Sequence, residues 1–314
     1  MLNLRQSWWV KRKFQKIAKN KIHICGFFIR NKCDMKLQNI QCKDHQKLSK
    51  LITDKLGFSY SKAQKIIRNK DVKINGHRTS KDVDIFDSDL VQVYFNQVDI
   101  KIVYQDDDIV VAVKPRCVET INDLGDDLKT RLQEQIGMEV FAVHRLDRNT
   151  EGLVIFAKNL MAKQSLDEAI KLRKLKKFYI AKVVGVPKEK EARLVAYLKK
   201  DSKKSLVYVS DVPQPGYDEI QTRYELISHD DEFSVLNVEL VTGKTHQIRA
   251  HLSHVGYPIL GDDKYGNSYI NKNQGKRYQC LCAYKLIFCF DQNDYLSRLN
   301  GLVVQLQKEE VSFL

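Results

Sequence analysis

Apolar and polar positions along the chain fall into two periods, and their alternation predicts a series of short helices and strands. Leu48, Leu51, Ile52 and Leu56 recur at helical spacing, and Gly57 stands where such a helix would stop. Ser59 or Ser61 can cap a second helix over 62–69, with Ala63, Ile66 and Ile67 on its buried side. Val72-Lys-Ile-Asn-Gly76 reads as a strand entering a tight turn, and 89–95 as another strand after it. Further along, apolar runs at 109–113, 153–157, 177–185, 233–240 and 281–288 predict strands. The first of these stops at Lys114-Pro115, because proline lacks the donor that a ladder needs. Helical spacing recurs over 126–135, over 160–175 and from about Thr245 to Gly256. Residues 188–205 are rich in charge and read as a connection.

The 314 residues have room for one large unit and one small one. No apolar run approaches the ~20 residues that a membrane-spanning helix needs. The net charge of +14 points to a polyanionic partner. It is unevenly spread: residues 1–33 hold nine Lys/Arg and no Asp/Glu, so five of the fourteen charges fall elsewhere. That segment, with Trp8, Trp9 and the cluster Lys11-Arg12-Lys13, fits a basic RNA-binding tail, a presequence, or residues upstream of a start at Met35. The last reading, or a disordered tail, is favoured over targeting. Seven irregularly spaced cysteines argue against a disulfide framework and for a reducing compartment.

Candidate chemistry centres on Asp147. Arg145 and Arg148 flank it, and the β-branched, aromatic run Leu153–Ala157 follows Gly152. A carboxylate in a turn packed on a sheet can be fixed in place, and neighbouring arginines favour its ionised form. Such a group suits a nucleophile better than a general acid. An ordinary surface Arg–Asp pair would look the same locally. His246, His251 and His254 invite a metal reading. On a helix, however, His246 and His251 diverge by about 140° at ~100° per residue, and no metal is expected.

The order of residues carries more. Val143-His-Arg-Leu-Asp-Arg-Asn-Thr-Glu-Gly-Leu153 resembles the signature of the RluA-type pseudouridine synthases. Four further blocks resemble that family in the same order. Residues 46–97 are similar to an S4 RNA-binding domain, through Ser-x-Ser-x-Ala-x-x-x-Ile and then Val-x-Ile-Asn-Gly. The strand ending in Lys114-Pro115 resembles the family's first motif. Lys177-x-Tyr179-x-Ala-x-Val-x-Gly185 resembles its tyrosine motif. Thr242-Gly-Lys-Thr-His-Gln-Ile-Arg-Ala-His-Leu252, followed by Gly256-Tyr-Pro-Ile-Leu-Gly-Asp-Asp-Lys-Tyr-Gly266, resembles its third motif. The resemblance covers about residues 46–290.

It departs at named positions. Glu151 replaces the usual serine, Arg116-Cys-Val-Glu119 replaces a small apolar turn, and Cys282 replaces a histidine. Lys47 and Ser49 stand where S4 domains usually have Arg and Asp.

The resemblance implies an α+β fold: a mixed, mostly antiparallel central sheet flanked by helices, plus a small N-terminal S4 domain. The domains expected are a basic, disordered extension over 1–45, an S4-like domain over 46–97 and a catalytic domain over 98–314. Asp147 would be the nucleophile, Arg249 its salt-bridge partner and Tyr179 the active-site tyrosine. On general grounds a buried strand tyrosine is plain core. Arg145 would occupy the space an everted base leaves, or form a salt bridge. His144, Lys114 and the α-helical stripe Lys62, Lys65 and Arg68 would contact RNA. No metal and no cofactor are implied. The expected partner is RNA of the 23S ribosomal type, with no membrane, for a cytoplasmic monomer. The alternative is a non-catalytic RNA-binding or ribosome-assembly protein that keeps the fold.

Overall fold

The computed structural model describes residues 35–58, 60–96, 99–122 and 127–314. The readings made for residues 1–34, and for Ser59 as a cap, lie outside the described residues.

The small unit is built on apolar faces too short to be stable alone. Strand β1 (Met35–Gln41) runs antiparallel to a later strand, and a two-residue strand β2 (Gln46–Lys47) leads into α1 (Leu48–Leu56). Gly57 ends α1 in the left-handed region at φ 66° and returns its N–H to Thr53. After α2 (Tyr60–Arg68) come β3 (Val72–Ile74), β4 (His77–Arg78), β5 (Asp84–Ile85) and β6 (Leu90–Asn96). The sheet order is β1-β6-β3-β4, and β2 pairs with β5. Leu48, Leu51 and Ile52 of α1 meet Ala63 and Ile67 of α2 over Val72, Val91 and Val93.

Two expectations are refined here. Within the extension expected over 1–45, residues 35–41 form β1 and supply seven residues of ladder to β6. The unusual Lys47 and Ser49 have local partners, Asp84 at 2.9 Å and Asp82 at 2.6 Å.

The large unit is an 11-stranded sheet. Its strands are β7 (Ile102–Gln105), β8 (Ile109–Lys114), β9 (Phe141–Ala142), β10 (Glu151–Ala157), β11 (Leu175–Val184), β12 (Glu191–Asp201), β13 (Leu206–Ser210), β14 (Asp218–His229), β15 (Phe233–Leu240), β16 (Leu281–Phe288) and β17 (Val303–Gln305). They run in the order β13-β12-β14-β15-β11-β16-β10-β8-β7, with β17 on β16 and β9 on β10. Among these pairings only β10–β16 is parallel. Four helices are added: α3 (Leu128–Ile136), α4 (Leu160–Lys171), α5 (Gln247–His254) and α6 (Ser268–Asn273). The fold is α+β with a mostly antiparallel sheet, as the resemblance implies.

Both faces of β10 are covered, which explains its unbroken apolar run. Leu153, Ile155 and Ala157 pack with Ala162, Leu166 and Ala169 of α4. Val154 and Phe156 pack on the other side with Leu132 of α3 and Ile248 and Leu252 of α5.

Two boundaries differ from expectation. The helix starting at Leu160 stops at Lys171 rather than Leu175, because Arg173 turns left-handed at φ 60° and Leu175 opens β11. The charged stretch 188–205 is no loop: Glu191–Asp201 is a strand of eleven residues. Only Ala196 and Leu198 of it are buried, so its charges line the outer face and mask the alternation.

Candidate active site

The chain between β9 and β10 carries Asp147, and its shape is fixed by bonds from distant segments. Leu146 is buried and holds the loop to the core. Its N–H donates to Thr120 Oγ1 at 3.1 Å. Thr150 N–H closes a turn on the Asp147 carbonyl at 3.0 Å, and Gln279 Nε2 donates to Thr150 Oγ1 at 2.5 Å. His144 Nε2 accepts the N–H of Ile155 at 3.0 Å, which puts the ring proton on Nδ1. Burial, helped by the charge of Lys177, pushes the His144 imidazole down to about 3, so it is neutral at pH 7.

Gly152 is required where the loop enters the parallel pairing. Its φ is +116°, and an added Cβ would lie 2.2 Å from the carbonyl oxygen of Ala283.

Lys114 corrects one expectation. Its side chain is fully buried, and its ammonium donates to the carbonyls of Pro115, Val118 and Arg148 at 2.9, 2.7 and 2.9 Å. Burial draws it down to about 8, against the opposing pull of Asp147. Its geometry ties the Lys-Pro turn to the Asp147 loop, and it does not face solvent as an RNA contact would.

Arg249 arrives from α5, 102 residues after Asp147. Its Nη1 donates to Asp147 Oδ2 at 2.9 Å. Nε and Nη2 form a fork on Asp262, at 2.6 and 2.9 Å, and Nη2 also reaches Asp263 at 3.2 Å. Asp262 is itself buried and accepts the N–H groups of Lys264 and Tyr265. Burial works against the guanidinium, but the Asp262 hydrogen bonds and charge, with Asp147, overcome it and raise its affinity for the proton. Asp262 is held below the usual carboxylate range, its burial outweighed by Arg249. A two-carboxylate anchorage of this kind fixes the guanidinium that faces Asp147. The Asp147 side chain is 25% exposed, and among the described residues no hydrogen bond engages its Oδ1.

The helix start is shaped for this. His246 is left-handed at φ 54°, and Gln247 folds back to Thr242 Oγ1 and Lys244 N–H. Tyr265 accepts the Val207 N–H at 2.9 Å, and its hydroxyl shares a hydrogen bond of 2.9 Å with His246 Nδ1. His246 Nε2 then stands 3.9 Å from Asp147 Oδ2, beyond hydrogen-bond reach. Burial lowers its proton affinity. His251 turns to Thr222 and His254 to Asp211, so the three histidines face different partners.

Tyr179 lies on β11, where the register with β16 slips by one between Phe178 and Tyr179. It is 6% exposed, and burial, then the charge of Asp147, raises its phenol above the usual range. Tyr179, Asp147, Arg249, Arg145 and His144 all line one cavity of about 340 Å³. The structure thus brings these five expected residues together.

The expected basic stripe divides. Lys62 pairs with Glu134 of α3 at 2.6 Å and lies over the Phe58 ring. Lys65 and Arg68 line a separate cleft of about 680 Å³ with Arg131 and Arg148.

Two departures from the family pattern meet in space. Arg116 Nε lies 3.2 Å from Glu151 Oε2, and Ser312 Oγ donates to Glu151 Oε1 at 2.8 Å. Sequence reasoning assigned no role to Asp262, Tyr265, Thr120 or Gln279. Asp262 and Tyr265 stood inside the quoted third motif, which was the available signal; nothing marked Thr120 or Gln279.

Comparisons with known proteins bear on the family and the fold. Residues 107–254 match the family model described as RNA pseudouridylate synthase. The chain is 31% identical over 226 residues to the mitochondrial tRNA pseudouridine(32) synthase of Saccharomyces cerevisiae, covering 68% of this chain and 49% of that protein. It is 30% identical over 258 residues to an uncharacterized RNA pseudouridine synthase of Mycoplasma genitalium, covering 74% and 80%. Relatives in Rickettsia felis and Vibrio parahaemolyticus, both 27% identical, are named ribosomal large subunit pseudouridine synthase C. The chain spans about half the length, or less, of several relatives it matches. The solved structure of human RNA Pseudouridylate Synthase Domain Containing 1 aligns with a TM-score of 0.54 at 22% identity, over 68% of this chain and 94% of that one, a likeness of fold. The extent of the Mycoplasma match places the chain in the RNA pseudouridine synthase family.

Proposed function

We propose that the protein isomerises uridine to pseudouridine in RNA, with Asp147 as the nucleophile. The observation that carries this is the Asp147–Arg249–Asp262 chain of ion pairs opening on a cavity beside Tyr179. The reaction breaks the bond from C1′ to N1, turns the base and joins C1′ to C5, whose proton must leave. No electron or phosphate is transferred, so the scheme calls for no cofactor. Asp147 serves either route, by attack on C1′ or by taking a sugar proton to give a glycal. Arg249, 2.9 Å from its Oδ2, keeps it aimed. Tyr179 stacks on the base and assists removal of the C5 proton. The uridine must leave its stack, at a cost of a few kcal/mol. In this reading Arg145, which is exposed and lines the cavity, fills the gap.

Residues 35–96 serve as an S4-type RNA-binding unit in this reading, with Lys65 and Arg68 toward phosphates. The substrate we favour is large-subunit ribosomal RNA, with action in the cytoplasm. The yeast relative's name supports transfer RNA as a second reading.

The test is tritium release from RNA labelled at uridine C5. Wild type should release tritium, and Asp147→Ala should lose all of it. Mapping the modified uridines separates ribosomal from transfer RNA. Failure of wild type on every cellular RNA would leave a non-catalytic binding protein instead.

A further inference from the structure

The α4–β11 side of the cavity carries two cations that the reaction scheme above does not use. Arg173 occupies the position after the α4 cap in a Schellman turn: its N–H donates to Ile170, and the Lys174 N–H donates to Ala169. Glycine is usual there, because φ is positive. Arg173 takes the conformation at φ 60° despite its Cβ, and its side chain lines the cavity. A bulky residue held in such a conformation beside a cavity is a reason to look for function.

Lys177 follows on β11. It shares a strand face with Tyr179, two residues on, and lines the same cavity. It is half-buried, and a Cβ added at Gly243 would lie 3.5 Å from its ammonium nitrogen. The ammonium therefore reaches the Thr242–Lys244 turn, close enough to His144 for its charge to depress that ring. Burial lowers the proton affinity of Lys177 itself. Among the described residues neither Arg173 nor Lys177 has a side-chain hydrogen bond or ion pair. By contrast Lys244, on the same turn, is paired with Asp218 at 2.7 Å. Arg173 is exposed, but Lys177 is a partly desolvated cation with no counter-charge, which destabilises a fold unless a ligand supplies one.

We infer that Arg173 and Lys177 form a dibasic clamp for the RNA phosphodiester beside the everted uridine. This deepens the proposed function and rests on it for the identity of the polyanion. Arg173 presents a planar fork suited to two phosphate oxygens, and Lys177 a point charge deeper in the cavity. The two lie on the wall supplied by α4 and β11, apart from the α5 wall that holds Arg249.

The test uses the full chain with Arg173→Gly, Lys177→Met and the exposed neighbour Lys176→Met. A fluorescein-labelled, uridine-containing single-stranded RNA is titrated at several salt concentrations, and the melting temperature of each variant is recorded. Loss of either clamp residue should weaken binding about tenfold at low salt. The plot of log affinity against log salt should become shallower by about 0.7 for each cation removed. Arg173→Gly should raise the melting temperature by about 2 °C, since it relieves the left-handed turn. Lys177→Met should keep or raise it. Lys176→Met should alter none of these.

Unchanged salt slopes in both clamp variants would overturn the proposal, as would a fall in melting temperature without a change in slope. In tritium release from total labelled RNA, the clamp variants should lose activity through KM rather than kcat. If wild type releases no tritium, the catalytic reading fails while the salt slopes still decide the clamp.

Discussion

The two walls of the cavity are built on opposite principles. On the α5 side nearly every polar group has a fixed partner. Arg249 is bound by Asp147, Asp262 and Asp263, Asp262 by backbone donors, His246 by Tyr265, and Gln247 by Thr222 and the Gln221 carbonyl. On the opposite side Arg173, Lys177 and, at the rim, Arg145 have no side-chain partner among the described residues. The first arrangement holds one carboxylate in a narrow geometry, as the proposed bond exchange at carbon would require. The second leaves charge available for something that arrives from outside. Rigidity and openness occupy one pocket because they come from different elements.

The largest expected effect attacks the rigid wall. Asp262→Asn should cost roughly 3–5 kcal/mol of stability, because it leaves a buried guanidinium short of charge. It should also reduce kcat by about 100-fold, since Arg249, the partner of Asp147, loses its anchorage. Denaturant unfolding and tritium release measure the two. Near-normal kcat would mean the Arg249 anchorage has no part in positioning Asp147.

Acid should weaken the same wall next. His251 donates to or accepts from Thr222 at 3.0 Å, and burial, then His254, pushes its imidazole down to about 4. The unfolded chain takes up this proton near pH 6.5, while the folded chain resists it. The stability involved is therefore complete above pH 6.5 and is lost as pH falls from there toward 4. The loss amounts to at most about 3 kcal/mol. His251→Gln should flatten the fall in denaturation midpoint between those values, and an unaltered pH profile would remove His251 from the account.

The smallest effect concerns the brace behind the loop. Glu151→Gln or Arg116→Gln alone should cost about 1–2 kcal/mol, for a partly buried charge-assisted contact. The exchange Arg116→Glu with Glu151→Arg should recover part of that loss in a double-mutant cycle. Additive losses would show that the two departures are unrelated.

Much of this was legible in the sequence, and for identifiable reasons. The strand after Gly152 announces itself because both faces are covered and no polar residue interrupts it. That Asp147, Tyr179 and Arg249 meet at one cavity could be foreseen because motif order carries information that local chemistry lacks. Strand β12 was invisible because solvent faces most of its residues, which makes it look like linker. Lys114 misled for the converse reason: a lysine ordinarily signals surface, and only three converging carbonyls reveal a buried one. Asp262 stood in a recognisable motif, but its role depends on a fork arriving from another element. Arg173 is hidden because a helix end usually marks itself with glycine, and here it does not.

The parallel contact between β10 and β16, the only one among the described residues, has a bearing on how the chain matures. It joins residues 151–152 to residues 282–283 across most of the large unit, whereas the neighbouring antiparallel strands β14 and β15 meet across a short turn. Contacts so distant along a polymer close late and slowly. The hairpins can therefore be complete, with ordinary sheet spectroscopy, while the Asp147 loop still lacks its frame. Recovered turnover, rather than recovered ellipticity, is the sterner witness that refolding has finished.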